Sequence, residues 1–332
     1  MMNARISPMT LISSSPSPAS AQSGLDLAAA NTWLAMHPTL PLPGRGNTLA
    51  RWRILANIAA ADLCVAKLLE AHYDAQAICA DLGSDLMQPG QCWAVWAAEP
   101  PGTDMHFTNN ALHGTKAWCS GAAHATHALV TAPHQGAPGL FAVALDRPGV
   151  RIDASAWQAL GMRAIETANV TFSATPAQLV AANGGYLARP GFWHGGAGIA
   201  ACWFGATTAV ADVLRQSPRV RRDPHAAAHL GAIDTGLAST RALMRELAAR
   251  IDAQPHLAHQ REVMQLRSSV EAIARDTVDR VARALGPGPL CMQGAHAQRC
   301  ADLLVFIRQH HAERDLQSLG ERCHQEAAAW TL

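Results

Sequence analysis

The sequence predicts an α+β protein in three zones: a short N-terminal helical domain, a small central antiparallel β domain and a C-terminal four-helix bundle. Three observations carry this reading. Apolar residues recur at three- and four-residue steps up to Gly83. Short apolar or β-branched runs separated by Pro, Gly and Asn/Asp clusters then extend from Cys92 to Phe172. Helical periodicity returns after Gly184.

Residues 1–24, "MMNARISPMTLISSSPSPASAQSG", are rich in Ser and Pro and lack a long apolar run, so they read as a disordered tail and not a secretory signal. Residues 25–90 form the helical zone, with "HPTLPLPGRGN" as a loop between its first two helices. Residues 91–183 form the β domain, with "CWAVWAA", "ALVTA", "LFAVAL" and "ANVTF" as strands and "EPPGTD", "HQGAPG" and "DRPG" as turns. Residues 184–332 form the bundle, with helices predicted over 195–215, 225–253, 258–285 and 293–325.

Formal net charge is +1, which excludes a global field for nucleic acid or an anionic membrane surface. The longest apolar stretch, residues 195–214, contains Gly, Thr and Asp and lacks charged anchors, so it reads as a buried bundle helix and not a membrane span. The eight cysteines include no C-x-x-C pair, and their apolar settings fit a reducing, cytoplasmic location. "HAAAH" places His225 and His229 at i, i+4, but no third ligand is suggested and no metal is assigned. Both histidines of "HATH", residues 124–127, read as loop surface.

Two segments of the β zone carry chemistry. In "WAAEPPGTD" a strand ends in a turn with Gly102 and Thr103, which offers backbone N–H groups and a hydroxyl to a ligand. In "GTKAWCSGA" strand alternation places Lys116, Trp118 and Ser120 on one face, with Trp118 able to stack on a planar ligand. Lys116 is one of only two lysines among 26 basic residues.

Together with "LGMRAIETANVTF" further on, these segments resemble the acyl-CoA dehydrogenase family, a flavoprotein group that includes monooxygenases of the same fold. The family's "TEPxxGSD", "GxKxWITNG" and "GMRxxxTxxVxF" appear here as "AAEPPGTD", "GTKAWCSGA" and "GMRAIETANVTF", in the same order. The resemblance spans about residues 55–325 and is most specific in the β domain. It implies FAD as cofactor. Ala97, Ala98, Gly102 and Thr103 would contact the flavin ring and pyrophosphate. Trp118 would pack on the isoalloxazine and Ser120 would bond near its N5. Arg163 would help order the β domain, as would Thr167, which would also lie near the cofactor or substrate edge. "LGPGPL", with Gly286 and Gly288, resembles the family's Gly-rich turn. Arg222, with Arg219 and Arg221 as alternatives, would meet the pyrophosphate. A homodimer or homotetramer is implied, because the family completes its FAD site with a second subunit.

The family's catalytic glutamate has no counterpart in this sequence. "CADLLVFIRQHHAERD" places His310 and His311 there, with Glu313 the nearest carboxylate. The first bundle helix, site of the alternative family base, offers His194 but no acid. Histidine serves as a base near neutral pH, its unperturbed pKa being about 6.5. The leading expectation is therefore an FAD-dependent oxidoreductase performing α,β-dehydrogenation of an acyl thioester or related small molecule. One alternative is a flavin-dependent monooxygenase with His310 or His311 as acid/base. The other is a catalytically degenerate flavin-binding protein.

Overall fold

The computed structural model describes residues 24–100, 102–326 and 330. The predicted tail, up to residue 23, lies outside the described residues. Three helices come first: α1 (Leu27–Met36), α2 (Thr48–Ala61) and α3 (Leu63–Asp81). Asp26 and Asp62 cap α1 and α3 by accepting the Ala29 and Val65 amides.

Eight strands follow: β1 (Trp93–Trp96), β2 (His106–Thr108), β3 (Ala111–Cys119), β4 (His127–His134), β5 (Ala137–Ala144), β6 (Val150–Asp153), β7 (Ala168–Pro176) and β8 (Gln178–Ala181). They form two four-stranded sheets, in the orders β1-β4-β5-β8 and β2-β3-β7-β6. All pairings are antiparallel except β1 with β4, which run parallel. The predicted antiparallel domain is therefore mixed at one edge, because β1 is followed by a crossover before its partner. The sheets share a core that includes Trp96, Leu112, Val130, Phe141, Val170 and Phe172. The outer face of the first sheet, at Trp93, Leu129 and Leu140, packs on Ala75, Ile78 and Cys79 of α3.

The C-terminal part comprises α4 (Gly185–Ala188), α5 (Pro190–Arg215), α6 (Pro224–Ala253), α7 (Gln260–Leu285), α8 (Gly288–Met292), α9 (Gly294–Phe306) and α10 (Glu313–Gln325). The central helix is α5. It is long and apolar enough to cross a membrane, but 67% of its most apolar window is buried in this fold. Gly205 lets α5 approach α2 closely, since a Cβ there would lie 2.0 Å from the Ala56 carbonyl oxygen. Thr48 at the start of α2 donates to Asp252 of α6 at 2.6 Å, tying the N-terminal helices to the bundle.

The single helix predicted over 293–325 is broken. A 3₁₀ turn, Ile307–Gln309, ends α9, and Ala312 turns the chain with φ +49° before α10 starts. Residues 310–312 thus form a loop between two helices. Glu313 is the first residue of α10 and points to solvent.

The β domain is fastened to the bundle through its "GMR" segment. The Met162 amide donates to Asp302 of α9, and Gly161 lies against Ala301, where any side chain would collide with the backbone. Arg163 is exposed, so Gly161 and Met162 make this junction.

Candidate functional site

The "GTKAWCSGA" segment does not alternate as a regular strand. Register with β7 runs from Lys116 opposite Val170 to Cys119 opposite Ala168, which leaves one extra residue on β3. Trp118 sits in this bulge at φ +58°, a conformation costly for a bulky side chain. The shared face expected for Lys116, Trp118 and Ser120 is therefore lost. Lys116 points inward and is fully buried, whereas Trp118 is 58% exposed. The bulge thus turns the Trp118 ring outward, where it is open to a ligand.

Beside it, Thr167 at the entry to β7 donates to Ser120 Oγ at 3.3 Å. Among the described residues this leaves the Ser120 hydroxyl proton without an acceptor. Ser120 is fixed on its other side, its carbonyl accepting from Trp96 Nε1 at 3.1 Å. Gly121 follows at φ +69° and packs on Leu68 of α3. Ser120, Thr167 and the Trp118 ring are thus adjacent parts of one wall.

The turn after β1, a strand of the other sheet, is tied to β3 through Thr115 and Lys116. Ala97 is half-buried and Ala98 exposed. At Gly102, φ +85°, a Cβ would find nothing within 4 Å. The Thr103 hydroxyl donates internally to the Pro100 carbonyl at 2.7 Å, so its proton is already engaged. Beneath the turn, Lys116 Nζ donates to Thr131 O and Oγ1 at 2.9 and 2.8 Å and lies 3.6 Å from Glu99 Oε1. Burial lowers the Lys116 pKa, and the Glu99 carboxylate opposes the shift.

His310 and His311 part company. His311 is exposed and pairs at 3.2 Å with the partly buried Asp315. Burial alone would raise the Asp315 pKa, but the His311 amide and ring hold it low. His310 is buried, with Nε2 3.0 Å from Ser268 Oγ on α7 and Nδ1 accepting the Ala312 amide at 3.2 Å. The Ser268 hydroxyl donates to Met264 O. The network therefore assigns the neutral tautomer, with the proton on Nε2 and the Nδ1 lone pair occupied. Burial lowers the His310 pKa, with Asp315 and Glu271 acting against it.

Arg267, also on α7, holds the loop that carries His310. It donates to Gln309 O at 2.8 Å and Gly196 O at 2.7 Å, and its guanidinium lies 4.7 Å from the Trp203 ring centroid. Lys67 of α3 pairs with Glu70 at 2.8 Å and lies over Phe306, at the end of α9. Wall and loop thus rest on one platform, Leu68 under Gly121 and Lys67 against Phe306. Sequence reasoning passed over Glu99, Arg267, Ser268 and Asp302, whose roles depend on partners distant in the chain.

The Gly-rich turn and the arginine segment come together. Arg219 Nη1 lies 3.5 Å from the Leu285 carbonyl, next to Gly286 at φ +72°. They border a cleft of about 480 Å³ that also includes Ser217 and Gln293. Nothing crowds Gly286 or Gly288. Arg222 is exposed and caps the 3₁₀ turn through its amide, so Arg219, and not Arg222, is the arginine facing the cleft. The "HATH" histidines are less superficial than expected: His127 stacks on Trp93 at 4.8 Å, and His124 lies 3.9 Å from Glu166.

The wall's donor set fits a flavin. It combines an exposed aromatic face, a free hydroxyl donor and an open glycine turn, which suit a planar ring bordered by acceptor atoms.

Comparison with known proteins bears on the fold. Residues 83–175 match the family model described as acyl-CoA dehydrogenase, middle domain. No curated protein sequence matches significantly. Among solved structures, TdsC from Paenibacillus sp. A11-2, in complex with FMN and indole, is similar with a TM-score of 0.71 at 17% identity, over 85% of this chain and 84% of TdsC. Butyryl-CoA dehydrogenase from Megasphaera elsdenii gives 0.72 at 15% identity, over 82% and 81%. Nitrososynthase from Micromonospora carbonacea var. africana gives 0.68 at 17% identity, over 86% and 85%. At these identities the likeness is one of fold.

Proposed function

We propose that this chain, with an acyl-CoA dehydrogenase middle domain set in the acyl-CoA dehydrogenase fold, is a flavin-dependent monooxygenase acting on a small organic molecule. Bound reduced flavin would supply the electrons that activate molecular oxygen. One oxygen atom enters the substrate and the other leaves as water. Trp118, Ser120 and the open turn at Gly102 would hold the ring. Arg219 and the Gly286 turn would hold the phosphate-bearing end of FAD. A homodimer or homotetramer is part of this reading. FMN is the flavin bound in the TdsC complex.

The observation that carries the proposal is the state of His310. α,β-Dehydrogenation needs a base with a free lone pair. Residues 310–312 contain no carboxylate, the nearest being Asp315 Oδ2 on α10 at 4.0 Å from His310 Nε2, and the His310 Nδ1 lone pair already accepts the Ala312 amide. What His310 offers is a proton on Nε2, resting on Ser268 Oγ. That suits chemistry in which a donor protonates or orients an oxygen.

The test combines reduced flavin, ¹⁸O₂ and a panel of candidate substrates. Single-atom ¹⁸O incorporation that falls on His310→Ala substitution is the expected result. Anaerobic bleaching of bound flavin by an acyl thioester would overturn the proposal and restore the dehydrogenase reading.

A further inference from the structure

Among 26 basic residues only two are lysines, and both are paired with a glutamate: Lys67, partly buried, beside Glu70, and Lys116, fully buried, beside Glu99. Lys116 is the more demanding case. Its side chain is fully buried, and each of its three N–H directions meets an acceptor: Thr131 O, Thr131 Oγ1 and, at longer range, Glu99 Oε1. The Thr131 hydroxyl also donates to Glu99 Oε1 at 2.9 Å. Glu99 itself is half-exposed, so the arrangement spends a buried cation on a surface carboxylate. A carboxylate left in water needs no such partner.

The location of Glu99 explains the arrangement. It stands at the start of the turn that runs from Ala97 to Asp104. The other end of that turn is also held by β3, since Asp104 Oδ1 accepts the Thr115 amide at 2.8 Å. Gly114, at φ +98°, lies so close that a Cβ would sit 2.5 Å from the Asp104 carbonyl oxygen. Three consecutive residues, Gly114, Thr115 and Lys116, therefore grip both ends of the turn. Inside it, Thr103 bonds to Pro100 through both its amide and its hydroxyl. Among the described residues of the turn, what remains free is the outward surface at Gly102 and Ala98.

We infer that Lys116 is a positioning residue for the flavin, acting through Glu99 to hold the first limb of the turn, residues 97–100, in its receiving conformation before the cofactor arrives. The inference rests on the flavin reading proposed above. A compact ammonium suits the task better than arginine's planar fork, because its three acceptors surround one point in a fully buried space. Preorganisation of this kind raises affinity by removing the ordering cost at binding.

The test is a fluorescence titration of FAD, and separately FMN, into apoprotein, paired with thermal melts. Glu99→Ala is the main variant, because it leaves both Lys116–Thr131 bonds intact and alters a half-exposed side chain. The inference expects flavin Kd to rise about tenfold with Tm within about 2 °C of wild type. Glu99→Gln, which keeps an acceptor, is expected to recover most of the affinity. Lys116→Met and Lys116→Arg are both expected to weaken binding when measured well below their own Tm. Hydrogen exchange at the Thr103 and Thr115 amides of the apoprotein should quicken in Glu99→Ala.

Wild-type affinity in Glu99→Ala, or a loss of affinity only in step with a fall in Tm, would overturn the inference while leaving the flavin reading intact. If wild-type protein takes up neither flavin, the reading itself fails and the inference falls with it.

Discussion

Ser120 and Thr167 sit where two backbone ladders place them, whereas His310 sits where side chains from another helix hold it. At the wall, a bulge in β3, a left-handed Trp118 and Gly121 define the shape with residues close together in sequence. At the loop, Ser268 and Arg267 reach across from α7, far away in the chain. A site edge built from backbone is local and rigid. A site edge built from borrowed side chains is adjustable, and its chemistry depends on each lender.

The sharpest way to break the wall is Gly114→Ala. The new Cβ would meet the Asp104 backbone, and alanine would be held at φ +98°. Strain and collision together should cost about 3 kcal/mol or more, seen as a lower urea midpoint with an unchanged slope. Wild-type stability would show that the turn yields, and that the wall is not backbone-defined.

The matching cut at the loop is Arg267→Met. It leaves the Gln309 and Gly196 carbonyls without their buried donor and removes the contact on Trp203. About 2–3 kcal/mol of stability should be lost. Flavin affinity should change little, because the wall does not depend on Arg267. Equal losses of flavin binding and stability would mean that the two regions are one cooperative unit.

This contrast also accounts for what was legible in the sequence. The wall could be read because glycines, Trp118 and the "GMR" segment carry backbone information in short spans, and the zone order followed from periodicity. The inward turn of Lys116 could not be read, since a one-residue bulge reverses the faces and leaves no compositional trace. The fourth bundle helix ran on in prediction because "FIRQHHAERD" contains neither Gly nor Pro. Tertiary contacts and the turn at Ala312 end it instead. Choosing between His310 and His311 required burial, and Arg219 emerged over Arg222 only once α7 brought Leu285 beside it.

His310 itself sharpens the comparison. His310→Ala should lower turnover about a hundredfold, within the range for a general acid. His310→Gln retains an N–H donor and should lose less. His311→Ala should sit near wild type, since its ring is exposed. If His311→Ala is the more damaging change, the roles assigned to the two histidines are reversed.

The smallest effect is a pH-dependent one, on the platform beneath both regions. Asp74 of α3 lies against Gly195 of α5, where a Cβ would be 2.7 Å from its carboxylate. Burial raises its pKa to about 6, Glu70 adds to the shift, and Arg189, Arg51 and Lys67 oppose it. A carboxyl group with a raised folded pKa binds its proton more tightly in the native state than in the unfolded chain. It therefore weighs against folding above pH 6, and that cost fades as pH falls towards 4. His72, two residues away, slopes the other way. Burial lowers its pKa to about 4, so the unfolded chain takes up a proton first and stability falls as pH drops below about 6.5. Asp74→Asn should thus stabilise the protein by about 1 kcal/mol at pH 7, with the gain vanishing near pH 4. His72→Gln should flatten the opposite slope. Urea melts at pH 4, 5, 6 and 7 separate the two. A gain from Asp74→Asn that is constant with pH would show that the carboxylate is not held against its charge, and that the platform tolerates it through its arginines.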